Sequence, residues 1–275
     1  SNSLKGSHVL NTMMYSMTIF ASLLGSALGF GSLPAFPVGI PCSTPVTVTV
    51  TVTDKWCKAS HPHDFIDGLA GDGPINGPFT PPDVKAGAHI SPTVVYTHGA
   101  SATPAWGEYA TQGVANIATT GSPTEFITAM TSQFHSHWKA GAATSCGAVD
   151  PSPAQTSTDL VLNEQNTKIS AIHMMAPSPD WFTGIKAVDM CVNGYWATTK
   201  TVTAVPYDAG VDGGVHFRTA NVPQDLDTNK IAKVACDGNN GPFCNQDNTG
   251  VNPVVEFVIV TSELIVADPG SGVAE

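Results

Sequence analysis

Charged residues are scarce in this chain, since Asp, Glu, Lys and Arg make up only 12% of its 275 residues. Basic residues are the scarcer kind: 11 Lys and Arg stand against 22 Asp and Glu, a formal net charge of −11. Proteins that bind nucleic acid or anionic membranes by charge need a basic surface. We therefore expect no nucleic-acid partner and no membrane partner held by charge alone.

Several catalytic motifs are missing as well. The sequence contains no H-E-x-x-H, no G-x-S-x-G and no G-x-x-x-x-G-K. A paired-carboxylate glycosidase stays open, because its signature is a distance between two acids and not a motif. We predict a protein that is not an enzyme, and we keep as the weaker alternative a secreted metal-assisted hydrolase that uses His98, His173 or a His-x-His pair.

The cysteines lack the C-x-x-C spacing of a zinc or redox site. Their number is even and they are scattered, which is typical of disulfides formed in an oxidising compartment. Cys236 and Cys244 enclose a short Gly/Asn-rich loop and are the most local candidate pair. The six residues are Cys42, Cys57, Cys146, Cys191, Cys236 and Cys244.

The N-terminal part has no charged residue between Lys5 and Asp54, and residues 13–30 are apolar and small. A basic residue before such a segment and small residues after it indicate a secretory signal peptide. The apolar core is short for a membrane span, which needs about 20 residues. The alternative is an uncleaved anchor, whose Gly25-x-x-x-Gly29 would permit close helix packing. We predict that residues 1–41 are a signal peptide or membrane anchor plus connector, with membrane contact only through residues 13–36.

Glycine and proline are abundant, at 26 and 21 residues, and favour a loop-rich all-β domain. Residues 46–53 alternate Val and Thr without a break, a strand pattern that should be paired on both edges. The apolar run at 254–266 predicts a central last strand. We predict an antiparallel β-sandwich over 42–268, two long loop insertions and a flexible tail at 269–275. Further strands are predicted at 90–97, 168–175, 187–192, 198–205, 215–218 and 231–235, and short helices at 106–118 and after Ser122.

Three acids lie on loops that follow apolar runs: Asp180, Asp208 and Asp212. Ca²⁺ takes six to eight oxygen ligands, and such loops supply them. Carboxylates without a basic neighbour repel one another unless a cation lies between them. The alternative is that each Asp caps its own turn.

Histidines form two His-x-His pairs, His61/His63 and His135/His137, whose spacing on a strand could bind Zn²⁺ or Cu²⁺. No third ligand is evident, and we interpret both pairs as solvated loop residues. His173 lies among Ile and Met, and we interpret it as a core or edge histidine with its hydrogen bonds satisfied.

The stretch 174–217 also carries a family resemblance. It contains P-S-P-D-W-F-x-G-I, a cysteine eleven residues after Asp180, G-Y-W and P-Y-D-A-G-x-D-x-G, and residues 90–98 add I-S-P-T-V-V-Y-T-H. These motifs resemble the spondin domain family, the N-terminal spondin domain of F-spondin and mindin, in its bacterial or algal single-domain form. The resemblance covers roughly residues 46–266 and implies a C2-like β-sandwich.

The resemblance further implies a calcium site at Asp180, Asp208 and Asp212. Some family members add an upstream acid; the ungapped position here is Val161, so Asp159 and Glu164 are the possible additional ligands. In animal members the cysteine that matches Cys191 is joined to an N-terminal one. That implies Cys42–Cys191 here, and Cys57–Cys146 is left by elimination.

The implied function is a secreted or cell-surface calcium-binding module for adhesion to extracellular matrix, cell-surface protein or glycan. A second hypothesis is a structural subunit of a surface fibre or membrane assembly, which contacts neighbouring subunits. An uncleaved N-terminal helix would anchor this subunit in the membrane, and its domain would face an oxidising compartment.

Overall fold

The computed structural model describes residues 39–63, 65, 89–100, 107–130, 143–144, 155–217, 219–236 and 241–263, without the side chains of 89, 143–144, 155–159 and 263. The predicted signal peptide or anchor at 13–36, the tail, the pair His135/His137 and Cys146 lie outside these residues. The predicted domain limits at 42 and 268 therefore stay predictions.

Thirteen strands and two short helices are found in the described residues. The strands are β1 (Val46–Asp54), β2 (His89–Ile90), β3 (Val94–His98), β4 (Ala143–Thr144), β5 (Gln155–Leu162), β6 (Lys168–Ala176), β7 (Trp181–Asp189), β8 (Cys191–Val192), β9 (Tyr195–Trp196), β10 (Thr199–Ala204), β11 (Tyr207–Asp208), β12 (Ala232–Lys233) and β13 (Val255–Glu263). The helices are α1 (Gln112–Thr120) and α2 (Thr124–Met130).

The first sheet has four antiparallel strands in the order β10-β13-β1-β5. The alternating Val and Thr of β1 behave as predicted: each valine is buried and the threonines between them are half-buried. Strand β1 is paired on both edges, by β13 and β5, and β13 is central. The period-two pattern places the valines on one face, where they meet the second sheet.

The second sheet runs β12-β11-β7-β6-β2-β4, and β3 also pairs with β6. Strand β6 is buried along almost its whole length because both of its faces are covered. Ile169, Ala171 and Met175 pack against the first sheet, and Ile172 and Met174 pack under α1 and α2. The all-β sandwich prediction is therefore confirmed, with the helices on the outer face of one sheet.

Among the described cysteines, two disulfides are formed, Cys42–Cys191 and Cys236–Cys244, and both were predicted. The first joins the segment before β1 to β8 across 149 residues of sequence. Disulfides of this kind persist in oxidising compartments. The predicted Cys57–Cys146 pair is untested, because Cys146 lies outside the described residues.

Several local predictions were wrong. The segment 90–97 is not one strand, because Pro92 interrupts it between β2 and β3. Residues 215–217 form no strand. Asn193 and Gly194 both have a positive φ and form the tight turn between the two-residue strands β8 and β9.

The helix predicted at 106–118 begins later, at Gln112, where the Thr111 side chain accepts a hydrogen bond from the Val114 N–H. The helix predicted after Ser122 is formed as α2, which begins at Thr124. The Glu125 carboxylate accepts a hydrogen bond from Asn116 on α1, at 2.7 Å. In the part of the chain that the structure describes, neither helix has the length and apolar character of a membrane span.

Candidate metal centre

Asp180 lies in a tight turn between β6 and β7. The Ser178 hydroxyl closes this turn, because it donates to the carbonyl of Met175 at 2.5 Å and accepts the Trp181 N–H at 3.1 Å. Trp181 and Phe182 then enter the core as the first residues of β7, 3% and 0% exposed. The turn therefore holds Asp180 at the edge of the core with no exposed surface.

Strand pairing brings the acidic loop to Asp180. Strand β11 is antiparallel to β7, and Asp208 lies opposite Trp181. The next residue, Ala209, donates its N–H to the carbonyl of Asp180 at 3.2 Å. The loop from Asp208 to Asp212 then bends back over the Asp180 side chain.

The Asp180 carboxylate is only half satisfied. Its Oδ2 accepts two backbone N–H groups, from Val211 at 2.7 Å and from Asp212 at 3.0 Å. Its Oδ1 is buried and has no hydrogen-bond partner. An unsatisfied buried acceptor costs about 1–3 kcal/mol, and more when it is charged. This oxygen needs either a proton or a cation.

Asp208 and Asp212 each cap their own turn, as the alternative interpretation expects. Asp208 Oδ1 accepts the Gly210 N–H at 2.8 Å, and Asp212 Oδ1 accepts the Gly214 N–H at 2.7 Å. The second oxygen of each has another donor: the Trp181 indole at 3.3 Å for Asp208 and the Val222 N–H at 3.1 Å for Asp212. The carboxylates thus organise the loop by themselves.

Gly210 is required at the bend of this loop. Its φ is +75°, which favours glycine, and a Cβ at this position would lie 2.5 Å from the carbonyl oxygen of Asn229. The glycine-rich sequence D-A-G-x-D therefore places two acids on either side of a bend that other residues do not tolerate.

The electrostatics of the site oppose ionisation of Asp180 and Asp208. Burial, and then repulsion from Asp208, raise the pKa of Asp180 to about 7, against the effect of its two backbone hydrogen bonds. Burial also raises the pKa of Asp208, and the charge of Asp212 adds to that rise. Neither of the two ion pairs found among the described residues, Lys55–Glu256 and Lys168–Asp189, reaches the site.

The three acids provide the type of ligand atom that a hard divalent cation binds. Carboxylate oxygens are the ligands that Ca²⁺ prefers, and each oxygen can keep its N–H bond and use a second lone pair for an ion. The unpartnered Asp180 Oδ1 is the atom that such an ion would satisfy. Within the described ranges, however, no three side chains of His, Cys, Asp or Glu converge closely enough to form a ready-made metal centre. A bound ion would have to draw Asp208 and Asp212 toward Asp180.

The Spondin_N family model matches residues 46–253, a range that contains all three acids and every described strand except β13. The chain belongs to the Spondin_N family. This spondin domain is 28% identical to Spondin-2 of Rattus norvegicus over 187 residues, which cover 66% of the chain and 51% of that protein. It is 26% identical to Spondin-1 of Mus musculus over 215 residues, which cover 76% of the chain and 24% of that protein. The chain thus matches about half, or about a quarter, of the length of these curated relatives.

Asp159 and Glu164 are the two acids that the sequence offers as possible additional ligands. Glu164 is exposed in the turn before β6, whereas Asp180 follows the opposite end of that strand. Nine residues of strand separate the two ends by roughly 30 Å, so the fold does not bring Glu164 to the site. The Asp159 side chain lies outside the described part of the chain.

Three histidines of the described part of the chain, His61, His63 and His173, make hydrogen-bond contacts away from the three acids. His61 is fully buried, contrary to the prediction of a solvated loop residue, and its ring contacts the Ser60 hydroxyl and the carbonyl of Asn252. His63 is half-buried and contacts the carbonyl of Asn245. His173 is a core residue, as predicted, and its Nδ1 lies 3.0 Å from the Thr93 hydroxyl. The prediction that its hydrogen bonds are satisfied was wrong, because its buried Nε2 has no partner.

Trp181 is the site residue that sequence reasoning did not assign to the site. Its ring is buried in the core, and its indole N–H also donates to Asp208 at 3.3 Å. The only sequence signal is its place directly after Asp180.

Proposed function

We propose that this spondin domain is a secreted or cell-surface module, not an enzyme, that binds Ca²⁺ through Asp180, Asp208 and Asp212. The ordered loops would serve adhesion to an extracellular or cell-surface protein or glycan. The observation that carries the proposal is the buried Asp180 Oδ1, which has no hydrogen-bond partner and lies on a residue that two further carboxylates repel.

A bound ion would supply the positive charge that lets all three acids ionise together. Asp180 would act as the buried anchor, because its Oδ2 already holds the backbone of the opposite loop. Asp208 and Asp212 would close over the ion from either side of Gly210. Binding to the folded state alone stabilises it, by about 2.7 kcal/mol at a hundred times the dissociation constant.

Ser170 and His98 form a buried pair, and the burial of this pair supports a role without catalysis. The His98 ring lies 2.8 Å from the Ser170 hydroxyl, a distance suited to nucleophilic catalysis. Both residues are 0% exposed, and the Ser170 hydroxyl also accepts the Ala187 N–H at 2.8 Å. A substrate does not reach this hydroxyl, so the pair is best explained as a brace between β3, β6 and β7.

The disulfide bonds support the proposed location. The disulfides Cys42–Cys191 and Cys236–Cys244 fit an oxidising compartment. The adhesion role follows from the family resemblance, and because the relatives are much longer than the matched segment, their own partners are not transferred to this chain.

Metal analysis of the purified protein by mass spectrometry, together with thermal melts in Ca²⁺ and in EDTA, tests the proposal. We expect about one calcium ion per chain and a higher melting temperature in Ca²⁺. The double variant Asp208→Asn/Asp212→Asn should lose that difference while keeping the fold.

The matched control is Asp227→Asn, which changes an exposed acid in a nearby loop. It should melt like the original protein in both buffers. An equal response to Ca²⁺ in the double variant, or no bound metal in the original protein, would contradict the calcium site.

A further inference from the structure

A solvent-facing patch lies directly beside the acidic loop. We define the Tyr109 patch as Tyr109, Gln224, Asn229 and Lys230. Tyr109, Asn229 and Lys230 are exposed, and Gln224 is half-buried. The patch joins two segments that are distant in sequence but paired in the fold, through a backbone bridge between Tyr109 and Lys230.

Tyr109 is exposed, at 45%, yet firmly held. The Gly107 N–H donates to the carbonyl of Ile231 at 3.1 Å, and the Ile231 N–H donates to the carbonyl of Glu108 at 2.9 Å. The Lys230 ammonium lies 5.5 Å from the centre of the tyrosine ring, which is within range of a cation–π contact. An exposed aromatic ring that is already ordered loses little conformational entropy when it binds a ligand.

The two amides connect this ring to the acidic loop. Asn229 donates to the side-chain oxygen of Gln224 at 2.7 Å. The Asn229 carbonyl packs on Gly210, and the Gln224 amide nitrogen packs on Gly213, 3.1 Å from where a Cβ would lie. The Asn229–Gln224 bond uses one donor and one acceptor, and each amide retains both donor and acceptor capacity. An ion that orders the loop from Asp208 to Gly214 would therefore also restrict the positions of the Asn229 and Gln224 side chains.

We propose that the Tyr109 patch binds an uncharged saccharide; this rests on the adhesion function proposed above and names its ligand. A pyranose ring has an apolar C–H face and a rim of hydroxyls that both donate and accept hydrogen bonds. The tyrosine ring offers a flat apolar surface for that face, and the amide pair offers donors and acceptors for the rim. A flat apolar contact with a few placed polar groups is the usual chemistry of small-ligand sites.

The negative charges around the Tyr109 patch favour a neutral sugar over an anionic one. Glu108, Asp225 and Asp227 are exposed around the patch, and the whole chain carries a net charge of −11. Lys230, the cation of the patch, is engaged with the tyrosine ring. Sulfated and carboxylated glycans would be repelled by this field.

The test uses the full chain on a microarray of neutral oligosaccharides, with sulfated glycans as a second arm, in Ca²⁺ and in EDTA. We expect binding in the neutral arm only, and stronger binding in Ca²⁺. Tyr109→Ala should weaken that binding about tenfold, and Asn229→Ala should weaken it too. The matched control is Tyr195→Ala, because Tyr195 is equally exposed, at 48%, and lies on strand β9. Thermal melts confirm that each variant is folded.

The outcomes separate this proposal from the calcium proposal. No binding to neutral glycans, binding to sulfated glycans only, or equal loss in Tyr109→Ala and Tyr195→Ala would each overturn the saccharide site. A calcium-dependent melting shift would still support the metal centre in those cases. Neutral-glycan binding that needs Tyr109 but not Ca²⁺ would support the patch and count against the coupling of the two sites.

Discussion

The indole nitrogen of Trp181 lies 3.3 Å from Oδ2 of Asp208, so one side chain belongs both to the candidate metal centre and to the core. The Trp181 ring packs edge-on against Phe217 at 5.2 Å and against Phe243 at 5.0 Å. Phe217 follows the acidic loop, and Phe243 lies in the loop closed by Cys236–Cys244. Asp208 is therefore connected, through the Trp181 side chain, to the aromatic cluster of Phe217 and Phe243.

Trp181→Phe should remove the calcium response of tryptophan fluorescence. Phenylalanine keeps most of the core contact but cannot donate to Asp208, so we expect a loss of about 1–3 kcal/mol in the free energy of unfolding. The emission change on adding Ca²⁺ should disappear with the indole that contacts the site. Trp196→Phe is the control, since the Trp196 indole donates a hydrogen bond to the Thr44 carbonyl instead. If only the Trp196→Phe variant lost the fluorescence response to Ca²⁺, the response would not come from Trp181.

Gly210→Ala should destabilise the protein more than Gly194→Ala. Both glycines have positive φ, +75° and +84°, so both substitutions strain the backbone by about 1 kcal/mol. Only at Gly210 would the new Cβ meet a neighbour, the Asn229 carbonyl at 2.5 Å, whereas nothing lies within 4 Å of it at Gly194. We expect a loss of about 3 kcal/mol or more at Gly210, measured by urea denaturation, and a weaker calcium-dependent melting shift. Equal losses at the two positions would show that the close contact has no energetic effect.

Asp54→Asn should stabilise the protein at alkaline pH. Asp54 is 6% exposed, its Oδ2 has no partner, and burial raises its pKa to about 7, against the hydrogen bond from the Trp56 N–H. Because the folded pKa is raised, the native state binds the proton more tightly, and Asp54 lowers the stability as pH rises from about 4 to about 7. Asparagine is uncharged, so the variant should be more stable than the original protein by up to about 4 kcal/mol at pH 8, and by less than half of that at pH 5. Urea denaturation at both pH values measures this; a difference that did not change with pH would refute the buried charge, and Asp227→Asn is the exposed control.

His173→Phe should make the protein less sensitive to acid. Burial lowers the pKa of His173 to about 3, and the ring is stacked on Phe257 at 6.3 Å. Because the folded pKa is depressed, the stability is fully present above pH 6.5 and is lost as pH falls toward 3, by about 2 kcal/mol at pH 5. The variant cannot take up this proton, so its unfolding free energy should change less between pH 7 and pH 5. His216→Gln, at an exposed histidine, should keep the original dependence; the same acid sensitivity in His173→Phe would assign the effect to another group.

The strands with simple patterns were predictable, because their side-chain period reports burial directly. Val46 to Val52 alternate with threonines, and the run at 254–266, which contains β13, is mostly apolar. Both strands form as expected, and both are paired on two edges. Short elements were not predictable. Residues 215–217 have strand-like composition but take loop conformation, because this segment follows the bend that Asp212 fixes with its bonds to Gly214 and Val222.

The burial of single polar residues could not be predicted from local sequence. His61 lies in a Gly-, Pro- and Asp-rich stretch that suggests a solvated loop, yet the segment folds onto Asn252 and Phe243 and removes the ring from water. The two predicted disulfides that fall within the described residues are formed, one from local spacing and one from the family resemblance.

The sequence alone determined the sandwich, the family and the identity of the three loop acids, because side-chain period and acidic loop motifs are local properties. Only the tertiary structure decided that Asp180 is buried with one unsatisfied oxygen, that Asp208 and Asp212 first cap their own turns, and that Glu164 lies at the far end of β6. These facts depend on which strands pair and which loops cover which ends, and strand pairing is a long-range property that no short stretch of the chain encodes.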